Sequence, residues 1–159
     1  MEKEFKINYT ALSGRNELNE AEQKLFEKAL EAREKAYAPY SNFQVGCAIL
    51  LEDGTMIQGS NQENAAFPSG LCAERTAIFW SAANFPNKII KKMFVIGSPA
   101  GGISKIAIPP CGSCRQSILE YESKQGEPIE IYFSSVEGEI IKLNSIRDLL
   151  PFSFDASYL

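Results

Sequence analysis

The chain reads Cys72-Ala73-Glu74 near its middle and Pro110-Cys111-Gly112-Ser113-Cys114 further on, with Cys72 and Cys111 39 positions apart. Three of the four cysteines stand at metal-ligand spacing, and a carboxylate lies two positions after the first of them. Thiolates are common zinc ligands, and a catalytic zinc ion keeps three protein ligands and one open position for water. The pattern predicts that the two segments meet in the folded chain and form a zinc site with Glu74 beside it.

Both cysteine segments fall at the start of a predicted helix. Helix N-termini carry free N–H groups and a partial positive charge, which favour thiolate over thiol. Cys111 and Cys114 are three positions apart and therefore share one face of a first turn, while Cys72 comes from the other helix. Zinc with three thiolates has a net negative charge. We therefore expect the Arg75 guanidinium to offset it by hydrogen bonding to the ligand sulfurs.

The remaining sequence predicts a mixed α/β fold. Helical periodicity or β-prone composition marks helices at 19–36, 72–83 and 111–121, and strands at 43–51, 55–61, 93–97, 129–134 and 139–143. Asn19 can cap the first helix. Residues 135–138 are too few for a parallel crossover, so the last two strands should be antiparallel. We expect one domain over residues 1–159, a three-layer α/β/α arrangement with a mixed five-stranded sheet.

Composition narrows the possible partners and the compartment. Sixteen basic against 20 acidic residues give a net charge of −4, which disfavours nucleic-acid binding. The N-terminal sequence has no apolar core of signal-peptide length, and no uncharged apolar stretch approaches 18 residues, so we expect no membrane span and a cytoplasmic location. The chain has no histidine. Proton transfer near neutral pH therefore falls to a carboxylate, a thiol or metal-bound water.

Less specific interpretations of the cysteines remain open at this point. Cys111 and Cys114 could form a redox pair, or half of a structural zinc site that Cys47 closes. Cys47, however, lies in the apolar run 45–51, where a cysteine usually packs as a small hydrophobic residue. Glu74 alone could be a first-turn acid that complements the helix dipole. Beside three cysteines, a proton-transfer role is the stronger interpretation.

Several long segments in the same order resemble a cytidine deaminase of the small, homotetrameric, three-cysteine type. A cysteine, a glutamate two positions later and a following Pro-Cys-x-x-Cys are the known signature of zinc nucleobase deaminases. The resemblance covers nearly the whole chain and includes residues 36–46, 61–68, 71–77, 110–116 and 149–151. It implies a cytidine-deaminase-like domain that hydrolyses cytidine and deoxycytidine to uridine and deoxyuridine plus ammonia, in pyrimidine salvage.

The resemblance also implies roles at the reacting centre. Cys72, Cys111 and Cys114 would bind zinc. Glu74 would take a proton from zinc-bound water and deliver it to ring N3 as hydroxide attacks C4, and would then protonate the departing ammonia. Backbone groups would hold the base, with the Ala73 N–H on O2 and the Pro109 carbonyl on the 4-amino group.

Sugar recognition is implied in the same way. Asn61 and Glu63 would bind the ribose hydroxyls, and Phe43 would pack against the nucleoside. The Glu63 carboxylate would repel a phosphate and so favour free nucleosides over nucleotides. Further substrate contacts are implied for three residues, of which the two aromatic ones would cross between subunits of a homotetramer with shared active sites: Ala65, Phe67 and Phe154.

Three other functions remain as alternatives. A tRNA or single-strand deaminase shares the zinc chemistry, but the acidic balance and the Asn61-x-Glu63 pair count against it. A deaminase of a nucleoside-like antibiotic would differ in its sugar-reading residues, which a substrate panel would reveal. A non-enzymatic zinc module would have four protein ligands and would not need Glu74.

Overall fold

The computed structural model describes all 159 residues and shows three helices packed on a single sheet. None of these helices combines the length with the apolar character that a membrane crossing requires. In chain order the elements are β1 (Thr10–Leu12), α1 (Glu20–Arg33), β2 (Phe43–Leu51), β3 (Met56–Ser60), α2 (Ala73–Asn84), β4 (Ile90–Pro99), α3 (Gly112–Gln125), β5 (Glu130–Ser134) and β6 (Ile140–Leu143). Short 3-10 turns lie at Arg15–Glu17, Phe67–Ser69, Ile146–Leu149 and Ala156–Tyr158.

The sheet is mixed, with strand order β1-β6-β5-β4-β2-β3. Only β4 and β5 run parallel, and every other neighbouring pair is antiparallel. Helix α3 makes the crossover between β4 and β5, whereas a short connection turns β5 back into β6. The predicted mixed α/β class and the antiparallel last pair are therefore confirmed.

The prediction of five strands is wrong, because β1 adds a sixth. Its three residues pair with β6 from Thr10↔Lys142 to Leu12↔Ile140. A strand this short, and largely exposed, has too little alternation for a sequence pattern to detect. Its conformation is set by the free edge of β6, which lies more than a hundred positions away along the chain.

The two faces of the sheet carry separate apolar clusters. Successive residues of a strand point to opposite faces. In β4, Met93 and Val95 belong to the cluster that includes residues of α2 and α3, whereas Phe94 and Ile96 belong to the cluster that includes residues of α1. Cys47 is fully buried in the first cluster, as expected for a core residue. The three-layer arrangement is thus confirmed.

Helix α1 begins at the predicted cap and ends earlier than predicted. The Asn19 side chain accepts the Glu22 N–H, and the Glu22 carboxylate accepts the Asn19 N–H, which forms a capping box. The helix ends at Arg33 instead of residue 36. Tyr37 already donates its N–H to Asn61 O at 2.9 Å, so the chain has left the helical path by that point.

Gly59 on β3 determines how closely α2 approaches the sheet. A Cβ at this position would lie 2.5 Å from Ala77 N and 2.7 Å from Ala73 O, so a larger residue would force the helix away. Cys72 caps α2, and Glu74 lies in its first turn. The missing side chain of Gly59 therefore helps to fix the position of both residues.

Candidate active site

Cys72 and Cys111 occupy the N-cap positions of α2 and α3. Both have an extended backbone, and neither side chain makes a cap hydrogen bond. An ordinary N-cap side chain accepts a helix N–H. The two sulfurs instead remain available to bind a ligand at the positive ends of two helices.

The three predicted ligand sulfurs come together in the structure. Cys72 Sγ lies 3.9 Å from Cys111 Sγ, and Cys111 Sγ lies 3.5 Å from Cys114 Sγ, with all three atoms within 4.8 Å of one another. Three sulfurs at about 2.3 Å from one tetrahedral zinc ion would be roughly 3.8 Å apart. The spacing and the donor chemistry therefore fit zinc. Cys47 belongs to the apolar core and is not part of this cluster.

Of the three sulfurs, that of Cys72 is the one that favours the thiolate form. Hydrogen bonding from the Cys114 thiol lowers the pKa of Cys72 to about 5, and the Arg75 guanidinium adds to this shift. The same hydrogen bond, together with burial, raises the pKa of Cys114. Arg75 Nη2 lies 3.9 Å from Cys72 Sγ. Thiolate is the form that binds metals, and it is already favoured at Cys72.

Glu74 is a buried carboxyl beside these sulfurs. Its residue is only 4% exposed, and burial raises its pKa to about 7, with the negative charge of Cys72 adding to the effect. Cys111, in contrast, is exposed to solvent. The centre therefore combines a side open to solvent with a carboxyl group that can hold a proton near neutral pH.

A cavity of about 510 Å³ adjoins the cluster, a volume within the range of small-molecule sites. Residues of the predicted site that line it include Asn61, Glu63, Phe67, Cys72 and Arg75. A larger groove, of about 1060 Å³, lies where β4 and β5 begin and is lined mainly by charged and polar residues. The cysteines lie beyond the opposite end of β4. We therefore place the candidate site at the smaller cavity.

The side chains of Asn61 and Glu63 are both held by backbone groups. Asn61 Oδ1 accepts the Val45 N–H at 2.8 Å, and Asn61 Nδ2 donates to Phe43 O at 2.9 Å. Glu63 Oε2 accepts the Tyr40 N–H at 2.8 Å and the Ser41 N–H at 3.3 Å.

The pKa of Glu63 is lowered by hydrogen bonds from the Ser41 side chain and the Tyr40 backbone. Glu63 therefore lines the cavity with an ionised carboxylate. The anchoring role of residues 40 and 41 was not predicted from sequence. Every residue except proline has a backbone N–H, so a contact through these groups cannot be predicted from residue type.

The groups predicted to hold the base differ in exposure. Ala73 is buried in the first turn of α2, where its N–H has no partner within the helix. Pro109 is exposed in the segment before α3. Phe43 is half-buried, and a Cβ at Gly97 would lie 3.0 Å from its ring, so this phenylalanine packs against the end of β4.

The three residues for which the resemblance implies further substrate contacts are all exposed. Phe67 is 74% exposed, and its ring meets Tyr40 edge-on at 5.8 Å between centroids. Phe154 is 58% exposed and stacks on Tyr158 at 5.4 Å. Ala65 lies in the loop that precedes Phe67. Phe154 does not line the cavity of its own chain.

A known family matches most of this chain. The zinc-binding region of cytidine and deoxycytidylate deaminases matches residues 19–126. The chain is 37% identical to the cytidine deaminase of Halalkalibacterium halodurans, over 84% of this chain and 94% of that protein. It is 39% identical to the cytidine deaminase of Sporosarcina psychrophila, over 86% of this chain and 95% of the relative.

Solved structures of cytidine deaminases also match this chain. The crystal structure of cytidine deaminase from Burkholderia pseudomallei has a TM-score of 0.71 and 38% identity, over 82% of this chain and 97% of that chain. Cytidine deaminase from Mycobacterium tuberculosis has a TM-score of 0.64 and 30% identity, over 82% and 94% of the two chains.

We expect the purified protein to hold zinc in a ratio of about one ion per chain, as measured by elemental analysis. Cys111→Ser should lose most of this metal, whereas Cys47→Ala should keep it because Cys47 lies in the core. Normal zinc content in Cys111→Ser would contradict the site.

Arg75→Gln should retain zinc but release it to a chelator roughly 10-fold faster than wild type, because the substitution removes a charged contact with a ligand sulfur.

Proposed function

The chain belongs to the cytidine deaminase family of zinc-dependent hydrolases, and we propose that it converts cytidine and deoxycytidine to uridine and deoxyuridine with release of ammonia. The observation that carries the proposal is the buried Glu74 carboxyl beside three cysteine sulfurs at two helix N-termini. Such a reaction serves pyrimidine salvage. Water supplies the new oxygen, and the 4-amino group leaves.

Cys72, Cys111 and Cys114 would hold the zinc ion, which supplies Lewis-acid activation of water when bound. Three thiolates would leave the centre negatively charged, and this would weaken that activation. The two helix N-termini and Arg75 offset the charge. Arg75 Nη2 is in hydrogen-bonding range of Cys72 Sγ, which supports its role as a charge-balancing partner.

Glu74 would move the protons. As a carboxylate it accepts one proton from the attacking water and delivers it to ring N3. It then takes the remaining proton from the new C4 hydroxyl and passes it to the amino group, which leaves as ammonia as the C4 carbonyl forms. Both steps require a group that gains and loses a proton with similar ease. Burial, which raises the pKa of Glu74 to about 7, supports this double role.

Backbone groups would orient the base. The Ala73 N–H points from the first turn of α2 and can donate to base O2. The Pro109 carbonyl can accept from the 4-amino group. The neighbouring Pro110 carbonyl is already used by Arg115 at 2.8 Å, which leaves Pro109 as the acceptor next to it.

Glu63 and Asn61 would select the sugar. Glu63 Oε2 is occupied by two backbone N–H groups, and Oε1, which accepts no backbone N–H, would accept a ribose hydroxyl. Asn61 keeps one amide N–H free beyond its bond to Phe43 O. The Phe43 ring and Ala65 would complete the nucleoside contacts. The ionised Glu63 would disfavour a phosphate on the sugar, so free nucleosides are the proposed substrates.

We expect Glu74→Gln to lower kcat on cytidine by about 10²- to 10⁴-fold while zinc content stays at the wild-type level. Glutamine keeps the shape of the side chain but cannot transfer the proton. The loss of cytidine absorbance reports turnover, and elemental analysis reports the metal. Unchanged turnover would contradict the role of Glu74.

Short single-stranded oligonucleotides that contain cytidine provide the discriminating control. A nucleoside enzyme leaves them unchanged, whereas a nucleic-acid deaminase converts them. No wild-type activity on free cytidine would instead favour the nucleic-acid substrate or a nucleoside-like antibiotic.

Glu63→Gln should raise KM for cytidine by about 10- to 100-fold with a smaller change in kcat, because a charge-assisted hydrogen bond to the sugar is lost. The substitution should also lower the ratio of kcat/KM for cytidine to kcat/KM for cytidine 5′-phosphate. Glu137→Gln, at the exposed turn between β5 and β6, is the matched control and should behave as wild type. Equal KM values for Glu63→Gln and Glu137→Gln would contradict a role of Glu63 in sugar binding.

The proposed assembly is a homotetramer with shared active sites. Its support in this structure is the exposure of aromatic side chains at the cavity, on α2 and near the C-terminus, namely Phe67, Trp80 and Phe154. Phe67 and Phe154 would reach the pockets of neighbouring subunits.

Sedimentation should show a species of about four times the 17.6 kDa chain mass. Phe154→Ala should raise KM without changing this mass, because it removes a pocket contact but no major part of the interface. A stable monomer with full activity would contradict the shared sites.

We further propose a cytoplasmic location, supported by four cysteines of which none forms a disulfide. The net charge of −4 supports a small-molecule substrate instead of nucleic acid. That residues 1–159 form a single domain stays a prediction.

A further inference from the structure

The Arg115 side chain connects the turn that carries Cys111 and Cys114 to the C-terminal part of the chain. Its Nε–H donates to Pro110 O at 2.8 Å, and its Nη1–H donates to Leu149 O at 2.9 Å. Arg115 directly follows Cys114, and Pro110 directly precedes Cys111. One guanidinium therefore bridges the turn that carries two ligand sulfurs and the segment that begins the C-terminal tail, defined here as residues 149–159.

The cysteine turn lacks the usual means of fixing a helix start. The Cys111 side chain makes no cap hydrogen bond, because its sulfur belongs to the metal cluster. The Arg115 backbone N–H makes only the ordinary first helical hydrogen bond, to Cys111 O at 2.9 Å. The Arg115 guanidinium adds a bond that the helix itself does not provide, to Pro110 O on the other side of the Cys111 nitrogen.

The tail is held by the same stretch of α3. Gln116 Nε2 donates to Phe154 O at 3.0 Å, so consecutive residues of the helix bind carbonyls at positions 149 and 154. A separate contact holds the tail further along: Arg147 pairs with Asp155 at 2.8 Å and does not touch the cysteine turn. The tail therefore has one anchor shared with the metal site and one that is independent of it.

We infer that Arg115 is a positioning residue that fixes the Cys111–Cys114 turn and the C-terminal tail through one guanidinium. The inference rests on the proposed zinc site but not on the identity of the substrate. Arginine suits this role because its donors lie in one rigid plane and point at two carbonyls at once. A lysine ammonium at the end of a flexible chain can replace one of these bonds but not hold both in a fixed geometry.

The test compares Arg115→Met, Arg115→Lys and Arg147→Met as zinc-loaded proteins. Zinc release to a chromophoric chelator reports the cysteine turn, and limited chymotrypsin cleavage at Phe152 and Phe154, followed by mass spectrometry, reports the tail. Arg115→Met should accelerate both processes by about 10-fold or more, because two hydrogen bonds from a charged donor are lost. Arg147→Met should accelerate only tail cleavage.

Arg115→Lys separates positioning from a general loss of folding. It should melt within a few degrees of wild type, release zinc at an intermediate rate and raise KM for cytidine more than it lowers kcat. Wild-type zinc release from Arg115→Met would overturn the inference, and so would equal zinc release from Arg115→Met and Arg147→Met. If the wild type holds zinc but does not act on cytidine, the proposed substrate fails, while the zinc and cleavage readouts still decide the role of Arg115.

Discussion

Three sulfur atoms must meet at the N-termini of two different helices, and the rest of the structure is arranged around that requirement. Helix α3 reaches the meeting point because it is the crossover between the parallel strands β4 and β5. Helix α2 reaches it because Gly59 lets its backbone lie directly on β3. Free N–H groups and the positive ends of both helices then stabilise thiolates that would repel one another elsewhere.

Negative charge is the main cost of this arrangement. With zinc bound, three thiolates and a neighbouring carboxyl would lie partly inside the protein, where unpaired charge is strongly unfavourable. Burial keeps a proton on Glu74 up to about neutral pH, and Arg75 lies against Cys72. Arg75 Nε is buried without a hydrogen-bond partner, so part of the guanidinium's bonding capacity is given up to place it there.

The proposed sugar end of the site obtains its rigidity from ordinary backbone structure. The Asn61 side chain accepts the Val45 N–H and donates to Phe43 O, both at the start of β2. These bonds continue the pairing of the two strands beyond the end of β3. Glu63 is fixed by the N–H groups at residues 40 and 41. Side chains locked by such bonds lose little further freedom when a ligand arrives, which favours selective binding of a small polar molecule. Arg115 gives the cysteine turn support of the same kind, through hydrogen bonds to backbone carbonyls.

Local sequence determined much of this protein. The apolar run of β2, the cap at Asn19 and the short connection before β6 act over a few positions, so their patterns predict structure without coordinates. Cysteine spacing, with Glu74 two positions after Cys72, predicted the metal cluster but left a redox pair and a structural zinc site open. Tertiary structure decided what depends on distant backbone: the strand β1, which exists only because β6 offers a free edge, and the anchoring of Glu63 by Tyr40 and Ser41. It also decided the bridge from Arg115 to Leu149. Backbone N–H and carbonyl groups are nearly identical at every residue, so a sequence cannot show which of them will meet until the chain has folded.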